Sequence, residues 1–321
     1  MTLEWWPIIK GAATYIPCLY DAERGETGGS QSARYCYAVW MRHLLASATC
    51  GLSLPIRSVA ELGPGDSLGI GIAALLSGAE KLQAFDVVRY ASNDRNVTVL
   101  HELVQMFRAR APVPSSEEFP AVFPRVPHTV FPARLWSRGV LDELLSDERI
   151  AAIERALRGN AGGPIEVSYI VPWNVSSDRA RATVDLVFSQ AVLEHVDELP
   201  GAYAALGAWI APGAYTSNVI DFRSHHITPG WDGHLQYSPS VWRVVRGRRP
   251  YLLNRRAPSE HLAQLRLNGF EVLQVEREYR QPTVATRSLA AEFAGWSDDD
   301  RRTSTMHVIA RRPVDGAVGL A

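Results

Sequence analysis

The sequence predicts an α/β protein built on a doubly wound, mostly parallel sheet. Three observations carry that prediction. From Ile56 onward, short apolar runs alternate with helix-length segments, a rhythm that demands crossover helices and parallel strands. A glycine loop, Gly63-Pro64-Gly65, lies between the first such strand and the first such helix. Near the C-terminus two strand patterns, Phe270 to Glu276 and Met306 to Arg311, read as an antiparallel pair.

Residues 1–50 read as helical, with a glycine-rich break at Gly25 to Gly29 and an apolar, aromatic run from Tyr35 to Leu45 at helical spacing. Ile56 to Leu62 is a strand, Ile70 to Ser77 a buried helix stopped by Gly78, and Lys81 to Val87 a second strand carrying Asp86 at its end. Val97, Leu100, Val104 and Phe107 mark one helical face. The stretch that follows is studded with proline from Pro112 to Pro132, which excludes a central strand. A further helix is expected from about Asp142 to Arg158. Residues 88–164 are thus expected to be an insertion that covers a ligand cleft. The rhythm resumes with strands at Ile165 to Val171 and Val184 to Ser189, a helix near Asp197 to Leu206, a turn at Pro212-Gly213 and a strand from Tyr215 to Asp221. Ser259 is placed to cap a helix reaching Leu267, ended by Gly269.

Composition bounds the class. A chain of 321 residues, 46% hydrophobic and 21% charged, has the makeup of one large globular domain with insertions. A formal net charge of -1 supplies no overall field for nucleic acid or an anionic membrane, so neither is expected as a partner. Cys18, Cys36 and Cys50 fit neither a zinc site nor a redox pair and read as free thiols in a reducing cytoplasm. The first residues lack the long apolar run of a signal peptide or a membrane span, and residues 313–321 are expected to be a loose tail.

The chemistry centres on Glu61-Leu62-Gly63-Pro64-Gly65-Asp66-Ser67. Glycines allow the backbone to approach a ligand where a Cβ would collide, and the helix N-terminus behind them offers amide donors. Asp86 follows Gly65 by about 20 residues, the separation at which a carboxylate meets ribose hydroxyls. A dinucleotide loop has the form G-x-G-x-x-G, whereas here Gly63, Gly65 and Gly69 leave one residue too many before the third glycine. Glu61 and Asp66 also flank the loop, which disfavours a pyrophosphate and favours a cationic ligand.

These residues resemble motif I of the class I methyltransferases that use S-adenosylmethionine (SAM), and Asp86 resembles the acidic residue of their second strand. Asp185 to Val196 resembles their fourth-strand motif, Ile210 to Gly213 the turn before strand five, and Leu265 to Val272 the entry to strand six. More narrowly, Ala33 to Trp40, Glu61 to Gly69 and Glu118-Phe119-Pro120 are similar to a bacterial family found near polysaccharide and secondary-metabolite genes. The resemblance implies a seven-stranded sheet of order 3-2-1-4-5-7-6 with the last strand antiparallel. It also implies SAM as cofactor, held by Glu61, Gly63, Gly65, Asp66, Asp86 and Val87, with Ser189 and Gln190 beside it. Relatives keep an acidic residue after strand three for the adenine amino group. Here Val171-Pro172-Trp173-Asn174 stands in its place, so Trp173 or Asn174 is expected at the adenine, and Ser67 replaces the third glycine.

Downstream of strand five lie His225, His226 and His234, in the loop that opens above the methyl donor in this fold. Methyl transfer to a hydroxyl needs a base near neutral pH, and a histidine of this group is the expected one. A metal held by these histidines with Asp221 or Asp232 is the lesser alternative, since their spacing matches no standard motif. Glu194-His195 reads as a structural pair at a helix start. Arg34 is a candidate partner for the methionine carboxylate of SAM. The chain is therefore expected to comprise a helical N-terminal lid (1–55), a SAM-binding domain (56–312) with the 88–164 insertion, and a tail. The expected reaction is O-methylation of a sugar or secondary metabolite, with a homodimer possible through Trp5, Trp6 or Trp40. Its rivals are an NAD-dependent enzyme on a similar sheet, a non-catalytic SAM-binding protein, and a SAM-binding enzyme of other chemistry such as cyclisation.

Overall fold

The computed structural model describes residues 4–16, 29–126, 130–137, 139–173, 182–249 and 251–314. In chain order the elements are α1 (Trp6–Ala13), α2 (Ala33–Thr49), β1 (Ser58–Leu62), α3 (Gly69–Leu76), β2 (Lys81–Phe85), α4 (Asn93–Arg108), α5 (Val140–Leu144), α6 (Asp147–Leu157) and β3 (Glu166–Ile170). There follow β4 (Val184–Gln190), α7 (Leu199–Trp209), β5 (Ile210–Asp221), α8 (Pro239–Arg246), α9 (Pro258–Leu267), β6 (Glu271–Tyr279), α10 (Asp298–Arg302) and β7 (Thr303–Arg311). The seven strands form one sheet of order β3-β2-β1-β4-β5-β7-β6, parallel except for β7, which runs antiparallel to both neighbours. That is the order the sequence resemblance implies.

Strand alternation divides the core between two layers. Val59, Leu82, Leu186, Phe188 and Ile309 face α2, α3, α4 and α6. Ala60, Leu62, Val187, Ile220 and Met306 face α7 and α9. The central strand β1 is buried along its whole length, as expected of a strand covered on both faces.

Several boundaries differ from the sequence expectation for local reasons. The helix expected from Asp142 to Arg158 is two helices, because the Ser146 hydroxyl accepts a bond from Arg149 N (3.4 Å) and starts a new one. Pro212-Gly213 lies inside β5 rather than before it. The pairing with β4 breaks register between Val184 and Leu186, and Gly213 takes φ +83°, an irregularity that accommodates a residue without an N–H. Ser259 does not cap α9. Its hydroxyl donates to Asp300 (2.9 Å), while the Glu260 carboxylate accepts from Ala257 N (3.2 Å) at the helix start.

The two expected lids also sit elsewhere. Helix α2 is an interior element: Tyr37, Trp40, Met41 and Leu44 are fully buried, and Trp40 Nε1 donates to Ser77 Oγ (2.7 Å) at the end of α3. The Arg42 guanidinium, also fully buried, donates to the carbonyls of Pro114 (2.9 Å), Ser115 (2.8 Å) and Val122, so the proline-rich segment is fastened to the back of α2. Helices α4 and α6 pack over α3 and against β3. Residues 88–164 form the crossover from β2 to β3, and among their described residues only Tyr90 lines the cleft described below. Helix α1 pairs with α8 instead. Cys36 and Cys50 are free thiols, and Cys18 lies outside the described residues, as do residues 315–321 of the expected tail. No described helix is long and apolar enough to cross a membrane.

Candidate active site

The carboxyl ends of β1, β2 and β4 open onto a cleft of about 470 Å³. Its floor is the glycine loop. Gly63 and Gly65 take φ +62° and +72°, the left-handed region that side chains resist. A Cβ on Gly63 would stand 2.5 Å from Val192 Cγ2, so the loop also packs against the chain leaving β4. The Gly63 amide donates to Phe85 O (2.8 Å), which ties the loop to β2.

Asp86 follows β2 immediately. Its Oδ1 accepts from Val87 N (2.7 Å) and Val88 N (3.4 Å), and its Oδ2 from Gly65 N (3.4 Å). Burial raises its pKa, and these amides pull the other way. Val87 and Trp173 line the same wall, as expected. Trp173 donates its backbone N–H to Asp86 O (2.6 Å), while its buried indole N–H has no partner among the described residues. Asn174 lies outside those residues.

The remaining expected ligands divide. Gln190 lines the cleft, whereas Ser189, one residue earlier, points to the opposite face of the sheet. There the Ser189 hydroxyl is fully buried and donates to Asn218 Oδ1 (2.9 Å). Glu61 is not a cleft residue either. Its Oε2 accepts from Gly71 N (3.0 Å) inside α3, and burial moves its pKa up to about 8. Glu61 thus fastens helix to strand beneath the loop. Asp66 is buried, engaged with other protein groups and absent from the cleft wall. Arg34 is paired with Glu118, at 2.5 and 2.8 Å.

Gln190 is held from behind by a buried chain. His43 Nε2 meets Gln190 Oε1 (3.0 Å), His43 Nδ1 meets Ser217 Oγ (2.8 Å), and Ser217 Oγ meets His307 Nε2 (2.8 Å). One set of protons fits. An amide oxygen only accepts, so His43 carries its proton on Nε2, Ser217 donates to His43 Nδ1, and His307 donates from Nε2 to Ser217. His307 Nδ1 is then unprotonated, and it has no partner. The Gln190 amide is left with its two donors for the cleft.

The histidines separate by environment. His234 lines a distinct cavity of about 20 Å³. It is 4% exposed, and burial, then the Arg255 charge, lower its pKa to about 3, so it is no base for the cleft. His226 is exposed and does not line the cleft. His225 stands closer. Its Nε2 lies 3.4 Å from Asp221 Oδ2, and its ring meets His195 at 5.0 Å between centroids. His225 and His226 both take left-handed φ, at 47° and 61°, on a turn where Ser224 N bonds to Trp231 O (2.7 Å). Asp221 would be raised by burial, but bonds to His225 and Arg223 hold it far below the carboxylate range. Asp232 is spent on Thr283 N (3.0 Å) and Val284 N (3.1 Å), which removes it as a metal ligand.

The sequence reads His195 as half of a structural pair, yet the structure sets it in the cleft wall. It ends the 3₁₀ turn Leu193–His195 just beyond β4, lines the cleft, and has a pKa lowered to about 4, first by burial and then by His225. Its neighbour Glu194 is 2% exposed, with no partner of good geometry for its carboxyl oxygens among the described residues, and burial, then Asp221, raises its pKa well above the ordinary value. Tyr90 and Tyr251, missed in the sequence, complete the walls. The available signal was position: the residues after the carboxyl end of β4 border the crevice of any such sheet.

No family model and no curated protein sequence matches the chain. Among solved structures it is similar to a SAM-dependent methyltransferase from Mesorhizobium loti, at 14% identity and TM-score 0.44, over 84% of this chain and 98% of that one. It is likewise similar to a SAM-dependent methyltransferase from Methanosarcina mazei, at 12% identity and TM-score 0.43, over 82% of this chain and 95% of that one. A third likeness is to phosphoethanolamine N-methyltransferase 2 from Haemonchus contortus in complex with SAM, at 13% identity and TM-score 0.43, over 88% of this chain and 57% of that one. The fold assignment rests on the strand order itself, a seven-stranded sheet of the class I methyltransferase type.

Proposed function

We propose that the protein is a SAM-dependent methyltransferase acting on an oxygen of a small-molecule acceptor, of the sugar or secondary-metabolite class. The observation that carries this reading is the pairing of Asp86 with the left-handed glycine loop at the carboxyl ends of β1 and β2. The residues fit the cofactor. Gly63 and Gly65 present bare backbone, the buried Asp86 carboxylate suits ribose hydroxyls, and the Trp173 side of the cleft is the proposed place of the adenine. Asp86 and Asp197 line the cleft and, among the described residues, no arginine or lysine does, which favours a sulfonium ligand over the pyrophosphate of NAD.

When bound, the sulfonium supplies an already activated methyl group. The protein's part is to align the acceptor and ionise its hydroxyl. Gln190 presents donors fixed by the His43 chain, and His195 lines the cleft with His225 and Asp221 behind it, so this group is the proposed place where the hydroxyl is ionised.

Calorimetric titration with SAM, its demethylated thioether product and NAD tests the assignment. Binding of the first two and silence with NAD are expected. Saturable binding of NAD alone would overturn it. Binding of SAM without a methylated product from any sugar or phenolic acceptor would favour a non-catalytic role.

A further inference from the structure

We infer that Glu194, His195 and His225 form a binding site for a divalent transition-metal ion beside the cleft, between the wall that His195 lines and the small cavity that Glu194 lines. One donor atom of each lies within 4.8 Å of the others, a spacing that small side-chain movements close to coordination distance. Two imidazoles and one carboxylate on one side of an ion make the two-histidine, one-carboxylate arrangement, which leaves further positions open.

An independent observation points to a ligand here. Glu194 is 2% exposed, yet among the described residues neither carboxyl oxygen has a hydrogen-bond partner of good geometry, and Oε1 faces His225 Nε2 at 4.0 Å. A buried carboxyl is ordinarily satisfied, because leaving it unpaired is costly. His195 Nδ1 is also buried without a partner. Asp221 is not a fourth ligand. Arg223 grips both its oxygens, from Nε at 2.8 and 3.1 Å and from Nη2 at 2.5 Å, so it stays with the guanidinium, and His225 Nε2 exchanges its 3.4 Å contact with Asp221 for the ion. The set thus holds one uncompensated carboxylate and two imidazoles, the donors that suit zinc, manganese or iron better than magnesium or calcium.

His195 lines the cleft, so the open positions face the acceptor. The ion would take an oxygen of that acceptor, a hydroxyl or a pair of vicinal hydroxyls. Its charge would lower the hydroxyl pKa, so that the O–H bond breaks heterolytically and the proton passes to water; the oxygen's electron pair would then form the bond to the methyl carbon as the S–CH3 bond breaks, its pair returning to sulfur in the departing thioether. This assignment of purpose rests on the methyltransferase reading. The existence of the site does not.

The test is titration of the metal-stripped full chain with zinc chloride, manganese chloride and magnesium chloride, followed by calorimetry and by metal analysis after dialysis. One zinc or manganese ion per chain is expected, bound more tightly than magnesium. Glu194→Gln and His225→Ala should each weaken it at least tenfold, and His226→Ala should leave it unchanged. Thermal midpoints of all variants report folding, and His225→Ala, at a partly exposed side chain, guards against collapse of Glu194→Gln. No stoichiometric uptake, or equal weakening by His226→Ala, overturns the site. Binding of the thioether cofactor product is measured on the same samples. Product binding without metal sinks the metal site alone, and metal without product binding sinks the methyltransferase reading alone.

Discussion

His43 on α2 and His307 on β7 stand in the interior, fully buried and bonded in a chain through Ser217, while His195 lines the cleft with His225 against it, beside carboxyl groups. The residue type is the same and the chemistry is opposite. Burial fixes the first pair as neutral donors and acceptors, with His43 lowered to about pKa 4 and His307 lowered well below the ordinary imidazole value. Beside the cleft, partial exposure leaves imidazole nitrogens next to Asp221 and Glu194, where a proton or an ion can be exchanged with a ligand. A histidine becomes a structural or a reactive group according to what its second nitrogen meets.

The largest expected effect lies on the cofactor wall, which neither histidine pair touches. Asp86→Ala removes a buried acceptor of charge-assisted bonds. Affinity for the demethylated cofactor product should fall by about 1.5–3 kcal/mol, roughly ten- to hundredfold or more. Calorimetry checks it, and unchanged affinity would remove Asp86 as the ribose ligand.

Replacing a core histidine tests the comparison itself. His43→Ala strands Ser217 and Gln190 in the interior and should cost about 1–3 kcal/mol of stability. His225→Ala, at a side chain 31% exposed, should cost no more than about 0.5 kcal/mol while still impairing turnover. Denaturant unfolding measures both, and equal losses would erase the distinction. The pH response has a definite sign. His43 at about 4, and His234 and His261 at about 3, all lie below the unfolded value of about 6.5. Between those limits the unfolded chain binds more protons, so their contribution is complete above about pH 6.5 and is lost as pH falls. Glu61, raised to about 8, acts the other way: its contribution is present at low pH and fades as pH rises through 8. The thermal midpoint of His43→Ala should therefore fall less steeply between pH 6.5 and 4 than that of the parent.

The cofactor wall was legible in sequence because its determinants are local. Two glycines at left-handed φ and a carboxylate at the end of the next strand are set by residues within one βαβ unit. The histidine side of the cleft was not, because its determinants are tertiary. Nothing in the run from Asp221 to His234 says that His234 turns inward near Trp242 while His225 turns toward His195. The parity of β4 was equally hidden. Its residues are apolar or buried on both faces, so alternation could not assign Gln190 to the cleft and Ser189 to the far side. Ser146, by contrast, carried a readable cap signal, and an unbroken helical pattern on either side obscured it.

The smallest effect concerns a charge that sequence reading had offered to the cofactor. Arg34 pairs with Glu118 at 2.5 Å, yet the two side chains are 43% and 39% exposed. Solvent screens such a pair and ordering two long side chains offsets its attraction, so Glu118→Gln should change stability by about 0–1 kcal/mol. If the guanidinium serves only this contact with the proline-rich segment, cofactor affinity will be unaltered in the same variant. An increase in affinity would mean that Glu118 competes with the methionine carboxylate for Arg34, and it would extend the cofactor site to the start of α2.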